Sequence, residues 1–148
     1  MEIAILALGC FWGPEIKFNK LNGVFKTEVG YCGGNITNAS YEAVCAGKTN
    51  HAEVVKIEFD SSKISYEDIL NYFFESHDPT TINRQGPDIG TQYRSEIFYS
   101  NDGQKKIAEE VLYKYNKKYN GKIVTKISKI KNYCKAEEYH QKYLEKKF

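Results

Sequence analysis

At 148 residues, with 41% apolar, 14% aromatic and 27% charged residues, the chain has the length and composition of a single globular domain that buries one core without metal or disulfide support. Its 21 basic and 19 acidic residues leave a net charge of only +2, and the lysines between Lys105 and Lys146 alternate with Glu109, Glu110, Glu137, Glu138 and Glu145 as on solvated helix faces, so no nucleic-acid partner is indicated. The longest apolar run, Ile3 to Leu8, is far too short to cross a bilayer and follows no basic leader, so a cytoplasmic protein with no membrane partner is expected; a monomer is the expected state.

The run from Glu2 to Leu8, closed by Gly9, reads as a central strand covered on both faces. A helix is predicted next, with Pro14 tolerated in its first turn, Ile16, Phe18 and Leu21 on its apolar side, and Asn22-Gly23 ending it. Phe25, Thr27, Val29 and Tyr31 alternate with Lys26, Glu28 and Gly30, which predicts a second strand that stops at Cys32-Gly33-Gly34-Asn35. Residues 35–50 read as loop with one helical turn. From Ala52 to Phe59 the alternation predicts a strand that places Glu53, Val55, Ile57 and Phe59 on one face, so one carboxylate falls on an apolar face.

Ser65 with Asp68 forms a capping-box pattern for a helix through Ile69, Leu70, Phe73 and Phe74 that ends before Pro79. Residues 79–92 read as a long irregular loop, a length often reserved for function. A strand over Arg94 to Tyr99 follows, then a helix from Asp102 to about Tyr119 with Ile107, Val111, Leu112, Tyr115 and Tyr119 inward, a strand over Val124 to Ile130 and a short terminal helix. This order predicts an α+β fold, a two-layer α/β sandwich with a mixed sheet and a ferredoxin-like core.

Four cysteines, Cys10, Cys32, Cys45 and Cys134, lie far apart without a CxxC pair, so no metal site or disulfide framework is indicated. Cys10 stands at the strand-to-helix junction, where unpaired N–H groups and the helix dipole favour a thiolate, and this makes it the candidate nucleophile. Phe11 and Trp12 beside it are large aromatics that belong in a core or a pocket wall. Glu53 on its apolar strand face is expected to have a raised pKa through desolvation, as a general acid near neutrality requires. The histidines His51, His77 and His140 leave open a cysteine hydrolase or acyltransferase in which one of them activates Cys10. No hydrolase signature surrounds Cys10, and each imidazole is expected to be a structural hydrogen-bonding group.

The run Gly9-Cys10-Phe11-Trp12-Gly13 with Glu15 resembles the GCFWGxE signature of A-type methionine sulfoxide reductases. The resemblance extends through Gly30-Tyr31-Cys32-Gly33-Gly34, Tyr41 to Glu53, His77-Asp78-Pro79, Arg84 to Ser95 and Ala136 to Tyr143, nearly the whole chain, and its motifs include His51 and His140, which are expected to border the site. It implies Cys10 as nucleophile, Glu53 as proton donor, Tyr41 and Tyr93 as oxygen-binding tyrosines, Asp88 as an active-site carboxylate, and Phe11 with Trp12 as the pocket for the substrate's S-methyl group. It further implies reduction of methionine S-sulfoxide, free and in oxidised proteins, through a Cys10 sulfenic acid.

Many such reductases reset the sulfenic acid with cysteines on a glycine-rich C-terminal tail, and this sequence reaches Phe148 without one. Cys134, Cys32 and Cys45 are the candidate resolving thiols, with direct attack by an external thiol as the alternative. The resemblance implies no bound cofactor, only a thiol reductant: thioredoxin, glutaredoxin or glutathione, or dithiothreitol in vitro. Asn50 stands where relatives often carry glycine, and Pro87 before Asp88 is a second departure; both bear on loop geometry. A sulfoxide-binding or redox-sensing module without turnover is the non-enzymatic alternative, and it would form no methionine when supplied with a dithiol.

Overall fold

Strands β1 (Glu2–Leu8) and β3 (Ala52–Phe59) lie side by side at the centre of the sheet, each with the bounds that its hydrophobic pattern predicts. The computed structural model describes residues 2–35, 39–47 and 49–143. Around this pair run β2 (Val24–Cys32), β6 (Ser95–Tyr99), β7 (Lys126–Lys129) and β8 (Cys134–Lys135), in the spatial order β7-β6-β1-β3-β2-β8. A separate hairpin joins β4 (Arg84–Gln85) to β5 (Asp88–Ile89). Strands β6 and β7 pair in parallel; the other sheet neighbours among the described residues are antiparallel.

The helices are α1 (Trp12–Asn19), α2 (Tyr41–Cys45), α3 (Tyr66–Glu75) and α4 (Asp102–Lys118). The succession β1-α1-β2-β3-α3-β6 with spatial order β6-β1-β3-β2 is the ferredoxin-like core of an α+β fold. One face of the sheet, through Leu6, Val29, Val55 and Ile57, packs against Phe18 of α1 and Phe73 of α3. Each of these rings is fully buried, a transfer gain of about 1.5–3 kcal/mol per side chain. The opposite face holds only a small cluster of Ile5, Ala7, Cys32, Ala52, Val54 and Phe98, so the layers number two.

Local signals explain the element ends. Ser65 and Asp68 close the predicted capping box on α3, each side chain accepting from the other's backbone N–H. Asn101 caps α4 through the N–H of Gln104. The inward side of α1 is Glu15 and Phe18, whereas Ile16 is half-buried. The expectation of an irregular 79–92 segment is corrected: it holds the β4–β5 hairpin and a 3-10 turn, Thr91–Tyr93. Gly86, with φ +58°, opens the hairpin's two-residue loop, as a primed turn requires, and Pro87 occupies the second position, which explains its tolerance there. Toward the C-terminus the chain forms a 3-10 turn, Glu138–His140, and is helical at Tyr143; the rest of the expected terminal helix, residues 144–148, lies outside the described residues. Strand β7 is shorter than its pattern, and β8 was not foreseen.

Candidate active site

Leu8 ends β1, and the chain turns at Gly9 with φ +99°, where a Cβ would come within 2.9 Å of the Gln85 side chain. That turn sets Cys10 half-buried in the bend ahead of α1, two residues before its first helical position. Burial pushes the Cys10 thiol up to about 11, more than the hydrogen bond from the Trp12 N–H brings it down, and the negative groups of Glu53, Asp88 and Cys45 push further the same way. The expected bias toward a thiolate is therefore corrected for the resting protein. The helix end does contribute a stabilising N–H, but desolvation and like charge outweigh it.

Glu53 faces the helix layer from β3, opposite Tyr31 of β2, and is 1% exposed. Its Oε1 accepts the backbone N–H of Phe11 at 3.1 Å, which ties it to the Cys10 bend. Its Oε2 is buried and has no hydrogen-bond partner among the described residues. Burial raises the carboxyl to about 8 against the lowering effect of the Phe11 N–H, and Asp88 adds repulsion. At neutral pH the group is accordingly a carboxylic acid with an uncommitted oxygen, chemically a proton donor held beside a sulfur nucleophile.

Tyr41 opens α2 behind the Ser40 cap, and its backbone N–H donates to Glu137 Oε2 at 2.9 Å. Tyr93 ends the Thr91–Tyr93 turn. Burial pushes the Tyr93 phenol up to about 12, with Glu53, Cys45, Asp88 and Cys10 repelling its anion. Tyr41 is raised by burial, then by a hydrogen bond with Cys45, then by Cys45, Glu53 and Tyr93. Both phenols thus remain O–H donors. Asp88 on β5 acts electrostatically on Cys10, Glu53 and Tyr93. Electrostatic contacts therefore link Cys10, Glu53, Tyr41, Tyr93, Asp88 and Cys45 into one cluster, with Glu53 acting on Cys10, Tyr41 and Tyr93.

Phe11 and Trp12 divide their roles. Phe11 is 1% exposed and packs on Tyr31 at 5.8 Å and His140 at 5.4 Å between ring centroids. Trp12 is half-buried, stacked on Tyr143 at 4.0 Å, with its indole N–H donated to Nδ1 of His140 at 3.1 Å.

Apart from His140, the segment from Glu137 to Tyr143 carries site contacts that sequence reasoning missed. Glu137 accepts the Tyr31 hydroxyl and the Tyr41 N–H, each at 2.9 Å. Burial opposes its ionisation, yet these donors hold its carboxyl below the usual range. The Gln141 amide accepts from Val29 N–H and donates to Val29 C=O, both at 2.9 Å, as a strand neighbour would. Glu15, 1% exposed, accepts the Lys142 N–H at 2.6 Å and the Thr27 hydroxyl at 3.1 Å. The signal was the polar motif Ala136 to Tyr143 itself, whose spacing has no helical or strand period.

The other cysteines separate by position. Cys32, fully buried, sits on the opposite sheet face from Glu53 and donates to the Lys131 carbonyl at 3.4 Å. Cys134 pairs across β8 with Tyr31. Cys45, exposed at the end of α2, is the thiol that acts on Cys10. Each histidine ring is engaged: His51 Nδ1 accepts Gly34 N–H, His77 lies between the Phe73 carbonyl and the Ser95 hydroxyl, and His140 holds Trp12. Asn50 has φ +59°, the left-handed region that glycine adopts freely and asparagine tolerates best among the rest.

The sequence profile of the family described as peptide methionine sulfoxide reductase matches residues 2–148. A peptide methionine sulfoxide reductase MsrA from Pelagibacter ubique is 69% identical over 147 residues, covering 99% of this chain and all of that one. The crystal structure of reduced Mxr1 from Saccharomyces cerevisiae superposes with a TM-score of 0.94 at 40% identity, over 98% of this chain and 84% of the other. Mxr1 in complex with Trx2 gives 0.69 at 26% identity, over 96% and 84%.

Proposed function

Since the chain belongs to the peptide methionine sulfoxide reductase family, of the A type, and is by that membership an oxidoreductase, we propose that it reduces the S epimer of methionine sulfoxide, free and in oxidised proteins, with Cys10 as nucleophile. The Cys10 sulfur, as thiolate, attacks the sulfoxide sulfur, and Glu53 passes its proton to the departing oxygen. Tyr41 and Tyr93 donate to that oxygen, and Asp88 supports the carboxyl. The sulfoxide S–O bond breaks, oxygen ends on Cys10, the substrate sulfur gains two electrons and methionine leaves. Phe11 and Trp12 receive the S-methyl group.

The observation that carries this reading is Glu53: a buried carboxyl raised to about 8, bound to the N–H next to Cys10, with one oxygen that has no hydrogen-bond partner among the described residues. A sulfoxide oxygen leaves poorly unless neutralised, and an acid poised near the working pH neutralises it. Once protonated, Glu53 also ceases to repel the Cys10 thiolate, so the donor and the nucleophile are ready in the same state.

Turnover requires a thiol to return Cys10 from the sulfenic acid. Cys45 is the internal thiol with electrostatic contact to Cys10, and we assign it the resolving step: its sulfur displaces water from the sulfenic acid to form a Cys10–Cys45 disulfide. A thioredoxin-like dithiol then reduces that bond, a partner class supported by the Mxr1 complex with Trx2. Glutathione or glutaredoxin are the other thiol donors, and no bound cofactor enters the scheme. The setting proposed is a cytoplasmic monomer.

The test uses separate S and R epimers of a methionine-sulfoxide peptide with dithiothreitol, following methionine release by wild type, Cys10→Ser and Glu53→Gln. Steady reduction of the S epimer alone, lost in Cys10→Ser and greatly slowed in Glu53→Gln, is expected. Unimpaired turnover by Cys10→Ser sinks the nucleophile assignment.

A further inference from the structure

The hydrogen bond from the Trp12 indole to His140 Nδ1 spans 128 residues of chain. An accepting Nδ1 leaves the imidazole proton on Nε2, which is buried and has no hydrogen-bond partner among the described residues. Four rings lie close around the imidazole, Tyr139 at 4.1 Å, Tyr41 at 4.4 Å, Phe11 at 5.4 Å and Trp12 at 5.7 Å between centroids. Burial in that setting holds His140 below its ordinary range against the pull of Glu137, whose carboxylate already serves Tyr31 and Tyr41. An imidazolium would put an N–H against the indole N–H and break the bond.

His140 is also fixed from behind. Its neighbours Glu137, Gln141 and Lys142 are bonded to β2, α2 and Glu15 of α1. Trp12, by contrast, is only half-buried, with its indole against Tyr143 as well as His140. The rigid partner in this pair is therefore the histidine, and the ring it orients is the indole.

We propose that neutral His140 is a positioning residue for Trp12, setting the tilt of the indole and hence the width of the cavity that takes the sulfoxide's S-methyl group. The inference rests on the reading that Phe11 and Trp12 form that cavity. A methyl group is held alike before and during the reaction, so loosening the indole weakens ground state and transition state together. That raises KM and leaves kcat nearly unchanged.

The variants are His140→Leu, which removes the acceptor, His140→Gln, whose amide reaches the place of Nε2 and leaves Nδ1 vacant, and His140→Asn, whose side-chain oxygen stands near Nδ1. Trp12 is the chain's only tryptophan, so intrinsic fluorescence reads this ring alone. Folding of each variant is checked by circular dichroism, and the substrates are S-epimer methionine sulfoxide and ethionine sulfoxide. His140→Leu and His140→Gln are expected to raise KM for the methyl substrate about fivefold, equivalent to ~1 kcal/mol, with kcat within about twofold. Both shrink the preference for methyl over ethyl and shift the Trp12 emission; His140→Asn restores KM, preference and emission.

A KM within about twofold of wild type in folded His140→Gln overturns the inference, as does an equal rise in His140→Asn, which would mark a bulk role only. Trp12→Phe separates the two layers of the argument. If it leaves KM and the methyl preference untouched, the S-methyl cavity reading falls and this inference with it; if it alters them while His140→Gln does not, only the role of His140 falls.

Discussion

Glu53→Gln perturbs one proton and little else. The glutamine oxygen can still accept the Phe11 N–H that Oε1 accepts now, so the fold is kept while the acid is removed. Loss of a positioned general acid costs about 100- to 10,000-fold in rate, and kcat/KM at pH 7 should fall by that factor. The pH profile is more exacting. With Glu53 titrating at about 8 and Cys10 at about 11, the reacting form pairs protonated Glu53 with ionised Cys10. Below pH 8 each pH unit raises the thiolate about tenfold without depleting the acid, whereas above it the gain in thiolate and the loss of acid cancel. Wild-type kcat/KM should therefore climb to about pH 8 and then level, and Glu53→Gln, starting lower, should climb on without that break. The assay is initial methionine release at substrate well below KM, from about pH 6 to about 10. A wild-type profile that falls above pH 8 would show Cys10 already ionised and refute its assignment as a thiol; a Glu53→Gln rate within about tenfold of wild type at pH 7 would refute the acid.

The same substitution has a signed effect on stability. The native carboxyl binds its proton more tightly than the unfolded one, so stability is lost as pH rises from 4.5 to about 8. The whole displacement corresponds to about 5 kcal/mol, and above pH 8 Glu53→Gln should resist denaturant better than wild type. For Cys45, one equivalent of S-sulfoxide without reductant should consume two thiols in wild type, seen as an intramolecular disulfide by mass spectrometry. Cys45→Ser should stop at a trappable sulfenic acid, and a disulfide still forming there would reassign the resolving thiol. Glu15→Ala strands the Lys142 N–H and leaves the Thr27 hydroxyl only its 3.3 Å bond to Asn19 Oδ1, costing about 1–3 kcal/mol and lowering Tm by roughly 5 °C in a thermal melt. Ser65→Ala opens the α3 capping box and should cost about 1 kcal/mol in urea unfolding.

Much of this was legible along the chain. The unbroken apolar run closed by Gly9 bounded β1, and alternation bounded β3 and put Glu53 on the apolar face. The Ser65 and Asp68 pair announced the start of α3. The same alternation already separates Cys32 from Tyr31, since neighbours in a strand point to opposite faces. The hairpin over Arg84–Ile89 and strand β8 were not legible, because two-residue ladders are too short to show a period.

Sequence by itself determined the alternating faces, the capped helices and the motif residues, all of which depend on neighbours within one or two turns of chain. Tertiary structure alone decided the state of Cys10: its desolvation and the repulsion from Glu53, Asp88 and Cys45 arise from groups brought together across the fold. It also decided that the Glu137 to Tyr143 segment closes on Trp12, Tyr31 and Tyr41. Burial and electrostatic coupling depend on distance in space, and a linear pattern holds no record of that distance until the sheet has set its strand order.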